Sequence, residues 1–294
     1  MKWQGRREST NVDDQRGGSG GGFGGFGGGR GLPGGLFSKG GLIMIVIVLL
    51  ISWFTGTNPL TLLQETGGVS LDQNQTMQVD ASPEEEELAS FVKVILGSTE
   101  DVWKQLKPDY REPSLTLFRG QTQSGCGSAT AASGPFYCSA DERVYIDLSF
   151  YEEMKNTLNA PGDFAQAYVI AHEVGHHMQH LLGITNRVHS QRGNLSDEEY
   201  NQLSVRLELQ ADFLAGIWAH YAKDDNGFIE EGDIEEALNA AAAIGDDRLQ
   251  KQFQGTVSPE SFTHGTSDQR VRWFKKGFLS GDTKQGDTFN TSDL

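Results

Sequence analysis

Residues 163–183 read DFAQAYVIAHEVGHHMQHLLG, and the fold turns on this stretch. Phe164, Ala167, Tyr168, Ala171, Gly175, Met178 and Leu182 recur at helical spacing. Pro161-Gly162-Asp163 supplies a breaker and an N-cap, and Gly183 stops the run. The spacing therefore predicts one helix with His172-Glu173-x-x-His176 near its middle. Histidines four apart on a helix stand one turn above each other, so His172 and His176 can hold one metal ion. Glu173 is placed to act as general base on a water at that ion. The pattern points to a zinc hydrolase.

Thirty-two residues beyond His176 the chain reads ELQAD over 208–212. Ser196 and Glu199 form a capping box, and Leu203, Leu207, Phe213, Ile217 and Tyr221 continue the helical period through the acidic pair. Glu208 and Asp212 thus share a helix face. A catalytic zinc takes three protein ligands and keeps one position for water. A metzincin would place its third histidine at 182 and a glycine at 179, where this chain has Leu182 and Gln179. His180 lies eight residues from His172, about 12 Å along the axis, and His177 points off the ligand face. His189 stays open as a ligand from a polar loop. Glu208 on the second helix fits better, with Asp212 one turn later positioned to accept a hydrogen bond from a ligand histidine. An exposed acidic stripe paired with Arg206 is the competing reading of the two acids. Two histidines and a carboxylate also suit iron or manganese, and the general base tilts the choice to one Zn2+.

Outside these helices, composition limits the choices. The chain has 294 residues, 37% of them hydrophobic, which suits one domain with tails. Residues 1–39 carry six Lys or Arg against three acids; the formal net charge of −16 therefore leaves −19 on the remainder. No basic surface for nucleic acid is visible. Gly17 to Gly35 is dominated by glycine and reads as part of a disordered tail. From Gly40 to Gln64 there is no charged residue, and Leu42 to Phe54 is almost wholly apolar, so 40–62 is expected to be one transmembrane helix. A core helix or a cleaved signal peptide competes with that reading. The basic residues before the run and their absence from there to Lys93 place the N-terminus in the cytoplasm and the C-terminal domain outside. Cys126 and Cys138 are the only cysteines, with no further Cys or His beside them, and are expected to pair as a disulfide.

Order is expected from Ser82, which with Pro83 and the acids Glu84 to Glu87 opens a helix. Leu115 to Arg119, Phe136 to Cys138 and Arg143 to Leu148 read as strands of a small antiparallel sheet ahead of the metal helix. Asp233 is expected to cap an alanine-rich helix to Ile244, and Ser267 a last helix from Asp268 to Leu279, closed by Gly281. The fold class is α+β and mainly helical.

H-E-x-x-H followed by E-x-x-A-D resembles the gluzincin peptidases, especially the membrane-bound type related to prenyl-protein processing endopeptidases. A wider likeness takes in MKWQGRR over 1–7, NVDD over 11–14, the glycine-rich tail, the apolar run, HEVGHHMQH and ELQAD. On these the chain resembles the bacterial neutral zinc metallopeptidase family. The resemblance implies a zincin-like domain and a single-pass, zinc-dependent bacterial peptidase. Thr263-His264-Gly265 through Arg270 is similar to the H-P-x-x-x-x-R element of the prenyl-protease relatives, with Gly265 in place of proline. It implies that His264 steadies the transition state, while Arg270 pairs with Asp212 or a substrate carboxylate.

The expected organisation is a disordered cytoplasmic tail over 1–39, the span over 40–62, a linker over 63–82, the metallopeptidase domain over 83–281 and a disordered end over 282–294. The protein is expected at the bacterial inner membrane, its catalytic domain periplasmic. A peptide or protein substrate would lie between the metal helix and an edge strand drawn from 143–148. The rival function is a catalytically idle, membrane-tethered scaffold for envelope proteins, against which the intact Glu173 argues.

Overall fold

A computed structural model of the chain describes residues 1–17 and 81–294. The strands are β1 (Val12–Asp14), β2 (Ser114–Phe118), β3 (Gln121–Ser124), β4 (Gly127–Thr130), β5 (Phe136–Cys138) and β6 (Arg143–Asp147). The helices are α1 (Pro83–Leu106), α2 (Ser149–Asn156), α3 (Asp163–Leu181), α4 (Ile184–His189), α5 (Asp197–Ala222), α6 (Asp233–Ala243), α7 (Asp246–Gln254) and α8 (Ser267–Ser280). The α+β reading holds. Ser82 caps α1 by accepting the Glu85 N–H, and Ser196 with Glu199 caps α5. Thr266 rather than Ser267 caps α8, and α3 and α6 begin on Gly162 and Gly232, so Asp163 and Asp233 are first-turn acids instead of caps.

The expected antiparallel sheet is in fact mixed. Its order is β1-β2-β6-β5; β1, β2 and β6 run parallel, and only β5 is antiparallel. Strand β6 therefore lies inside the sheet, and the edge beside the metal helix is β5, not 143–148. Alternation along a strand reports which faces are buried but not its neighbour's direction, which accounts for the misreading. The β3–β4 hairpin forms a separate ribbon, and the Cys126–Cys138 disulfide ties its tip to β5.

The expected disorder of residues 1–17 is overturned. The β1 residues pair Val12 with Leu115, Asp13 with Thr116 and Asp14 with Leu117. Trp3 is buried against Phe91, their ring centres 5.4 Å apart. The basic residues read as a solvated tail find acids on the folded unit: Arg7 meets Glu100 and Asp101, Arg6 meets Asp225, Lys2 meets Glu230, and Arg16 meets Asp14 and Glu86. Charge complementarity with residues 81–294, whose 18 Lys or Arg against 34 acids leave −16, thus supports the ordering that a hydrophobic pattern alone did not signal. The end of the chain departs from expectation in the same way. Thr288 is fully buried and donates to the Arg206 carbonyl, while Gly286 packs on Phe213. The expected span at 40–62, the rest of the tail and most of the linker lie outside the described residues. Among the described residues no helix is long and apolar enough to cross a membrane.

Three helices position the site. α5 runs through the core with Phe213, Ile217 and Trp218 fully buried, and both α3 and α8 pack against it. Gly216 on α5 and Gly277 on α8 let those backbones touch, since a Cβ on either would stand 2.1 Å from a carbonyl oxygen of the other helix.

Candidate metal centre

The two motif helices meet where their side chains are smallest. A Cβ at Gly175, inside H-E-V-G-H, would lie 2.9 Å from the Ala211 carbonyl oxygen, inside E-L-Q-A-D. Glycine thus allows α3 to come close enough to α5 for the side chains one turn either way to converge. His172 Nε2 stands 3.1 Å from Glu208 Oε2, and His176 Nε2 stands 3.4 Å from Glu208 Oε1. One donor atom from each of His172, His176 and Glu208 lies within 4.8 Å of the others. His189 is exposed and outside this group, His180 faces Glu142 at 3.5 Å, and Arg206 turns to the carbonyls of Thr288 and Thr291 instead of the acids.

Each imidazole is held from behind through its other nitrogen. His172 Nδ1 lies 2.8 Å from Asp212 Oδ1, as expected from the helix spacing. His176 Nδ1 lies 2.9 Å from Gln179 Oε1, and the Gln179 amide donates to the Leu207 carbonyl at 2.6 Å. Those acceptors leave the Nε2 atoms as the ones turned to Glu208. Asp212 is itself enclosed: Arg270 donates from Nε to Oδ2 at 2.8 Å, and the Tyr168 hydroxyl donates to Oδ1 at 2.5 Å. Arg270 thus pairs with Asp212, the first of its two expected partners, and is itself buried.

Electrostatics follow this packing. Burial pushes the Asp212 carboxyl up, but Arg270 and His172 outweigh it and bring it down to about 2. Burial pushes His172 down, but Asp212 and Glu208 raise it to about 10 in the metal-free protein. Burial likewise opposes the charge on Glu208, which His176 and His172 nonetheless hold well below the usual carboxylate range. Glu173 differs: burial dominates, and its carboxyl is raised despite the nearby histidines and the Tyr137 N–H. That is the direction that makes a carboxylate a stronger base near neutral pH.

His264 lies near enough for its charge to act on Glu208. Its Nδ1 is 3.1 Å from Asp246 Oδ1, and Asp246 Oδ2 accepts the backbone N–H groups of Thr263, His264 and Gly265 at 2.7, 2.6 and 3.0 Å. Burial lowers the His264 pKa, and Asp246 more than restores it. Gly265 has φ +95°, a conformation closed to proline, whose φ is locked near −65°. The departure from the H-P pattern therefore belongs to a differently bent loop that still presents the histidine.

Several members of the centre were not singled out from the sequence. Gln179 and Tyr168 sit three and four residues from the ligand histidines on the same helix, a spacing that could have flagged them. Asp246 had no such signal, because only the loop back to 263–265 brings it in. Nor had the tie between α3 and the sheet edge, where the buried His177 bridges the Tyr137 hydroxyl at 2.9 Å and the Arg111 carbonyl at 2.6 Å. Among the described residues one other acidic group, Asp163, Asp233 and Glu236, is close enough for a metal, but there the Met1 ammonium donates to Asp163 and Asp233.

Comparison with known proteins agrees with the motif. The sequence profile of a family described as "Putative neutral zinc metallopeptidase" matches residues 1–289. "Uncharacterized protein YpfJ" of Escherichia coli (strain K12) is 53% identical over 296 residues, covering 99% of this chain and 100% of that one. "Uncharacterized protein Rv2575" of Mycobacterium tuberculosis is 42% identical over 208 residues, covering 67% of this chain and 69% of that one. No solved structure matches.

Proposed function

Because the chain belongs to the neutral zinc metallopeptidase family, we propose that it is a peptidase that cleaves peptide bonds within a chain, with His172, His176 and Glu208 as zinc ligands. The observation that carries this reading is the convergence of two Nε2 atoms and one carboxylate within 4.8 Å, next to a buried Glu173 whose pKa is raised. The donor set fits the metal: two imidazole nitrogens and one carboxylate oxygen suit zinc, and Asp212 and Gln179 fix the nitrogens that face away. Zinc held there supplies Lewis acidity and lowers the pKa of a water it binds.

The chain's own residues do the rest. Glu173 takes the proton from the attacking water and passes it to the leaving amine. His264, held by Asp246, donates to the oxygen that gains charge as the carbonyl carbon becomes tetrahedral. Arg270 keeps Asp212 ionised, and Asp212 in turn keeps His172 in one tautomer. The substrate backbone adds to β5, the sheet edge beside α3, and runs past the scissile bond in both directions.

The test is cleavage of a mixed peptide library by the purified protein, with and without chelator, beside Glu173→Gln. The expected result is chelator-sensitive cleavage that Glu173→Gln abolishes while its zinc content stays at one per chain. Undiminished turnover by that variant removes Glu173 from the mechanism. Absence of any cleavage by the zinc-loaded parent protein favours the scaffold.

A further inference from the structure

The pairing of β1 bears on how this chain meets a membrane. Residues 1–17 and 81–294 form one folded unit, joined by the β1–β2 ladder, by Trp3 against Phe91 and by the ion pairs of Arg7 with Glu100 and Asp101. Backbone bonds extend the junction: Ser9 donates to the Lys93 carbonyl at 2.9 Å, Leu115 to Asn11 at 2.8 Å and Gln15 to Leu117 at 2.8 Å. Parts joined in this way cannot lie on opposite sides of a bilayer. A chain that leaves the unit after residue 17 and rejoins it at residue 81 must cross a membrane an even number of times.

The flanks of the uncharged run provide no second crossing. Residues 18–39 are mostly glycine and include Arg30 and Lys39. Residues 65–80 number sixteen and include Glu65, Asp72 and Asp80. Spanning the roughly 30 Å hydrocarbon layer takes about 20 consecutive apolar residues, and neither flank approaches that.

We infer that residues 1–17 and 81–294 lie on the same side of any membrane the protein meets. The N-terminus and the metal centre then share one compartment, in place of the single-pass arrangement with a cytoplasmic N-terminus. This inference is independent of the proposed peptidase activity.

The test uses the full chain in bacterial cells, with one cysteine introduced at exposed Gln4 or at exposed Lys251 and each variant read against the parent, whose two cysteines are bridged. Spheroplasts are treated with a membrane-impermeant maleimide, with detergent-lysed samples as the full-labelling control. The expected result is that both sites label or both are protected; labelling of one with protection of the other overturns the inference. A second variant guards against a disturbed fold. Asp13→Cys with Arg143→Cys replaces an ion pair of 3.0 Å across β1 and β6. A short bis-maleimide should link the two within one chain in unlysed membranes. Separate labelling of both cysteines without a link would equally overturn it.

Discussion

Asp212 joins two helices to the metal helix at once: its Oδ1 lies 2.8 Å from His172 Nδ1, and its Oδ2 accepts from Arg270 Nε at 2.8 Å. The ligand histidine, the acid that orients it and the guanidinium that holds the acid come from α3, α5 and α8 in turn. Ligand geometry and core stability therefore depend on the same carboxylate.

Asp212→Asn keeps the shape and removes the charge, leaving Arg270 buried without its ionic partner. Zinc affinity should fall about 10- to 100-fold, read by competition with a chromophoric chelator. Thermal unfolding should show a loss on the order of 3 kcal/mol from the unpaired buried cation. Affinity equal to that of the parent would mean that Asp212 does not orient His172.

Gln179→Leu removes the acceptor at His176 Nδ1 without introducing charge. The same titration should show weaker zinc binding, by less than the loss for Asp212→Asn because a neutral amide polarises the imidazole less than a carboxylate does.

Gly175→Ala places a methyl group 2.9 Å from the Ala211 carbonyl oxygen, so α3 and α5 must separate. The expected cost is about 1–3 kcal/mol in denaturant unfolding, together with weaker zinc binding as His172 and Glu208 move apart. Unchanged stability and metal affinity would show that the helix crossing tolerates the side chain.

Proton linkage gives a pH signature. In the metal-free protein His172 has its pKa raised to about 10, so it is protonated at neutral pH and zinc must displace that proton. Affinity should rise by as much as tenfold per pH unit between pH 7 and 9, with proton release visible calorimetrically in buffers of different ionisation enthalpy. Without metal, the stability from the raised His172 pKa is complete below its ordinary value near 6.5 and fades as pH rises through about 10. Asp212 works in the opposite sense. Its pKa is lowered to about 2, so its contribution is complete above the ordinary carboxylate value and is lost as pH falls from there towards 2.

Asp246→Asn tests the positioning of His264. On the peptidase reading, kcat should fall about 10- to 100-fold with zinc content unchanged, and the basic limb of the pH profile should move down as His264 loses its carboxylate partner. A drop in zinc content instead would place Asp246 among the supports of the metal ligands.

What could be read from residues alone was local and periodic. The 3.6-residue repeat located α3 and α5, the spacing of four set His172 over His176 and Glu208 over Asp212, and Ser82 and Ser196 marked helix starts, because these relations are contained within single helices. Tertiary structure decided what depends on partners distant in sequence. The direction of β2 beside β6, the edge position of β5, the order of residues 1–17 and 282–294 and the hold of Asp246 on His264 arise from contacts between segments. A strand's own side chains record burial but not which neighbour covers it, and a charged segment looks solvated until its counter-charges are brought alongside by the rest of the fold.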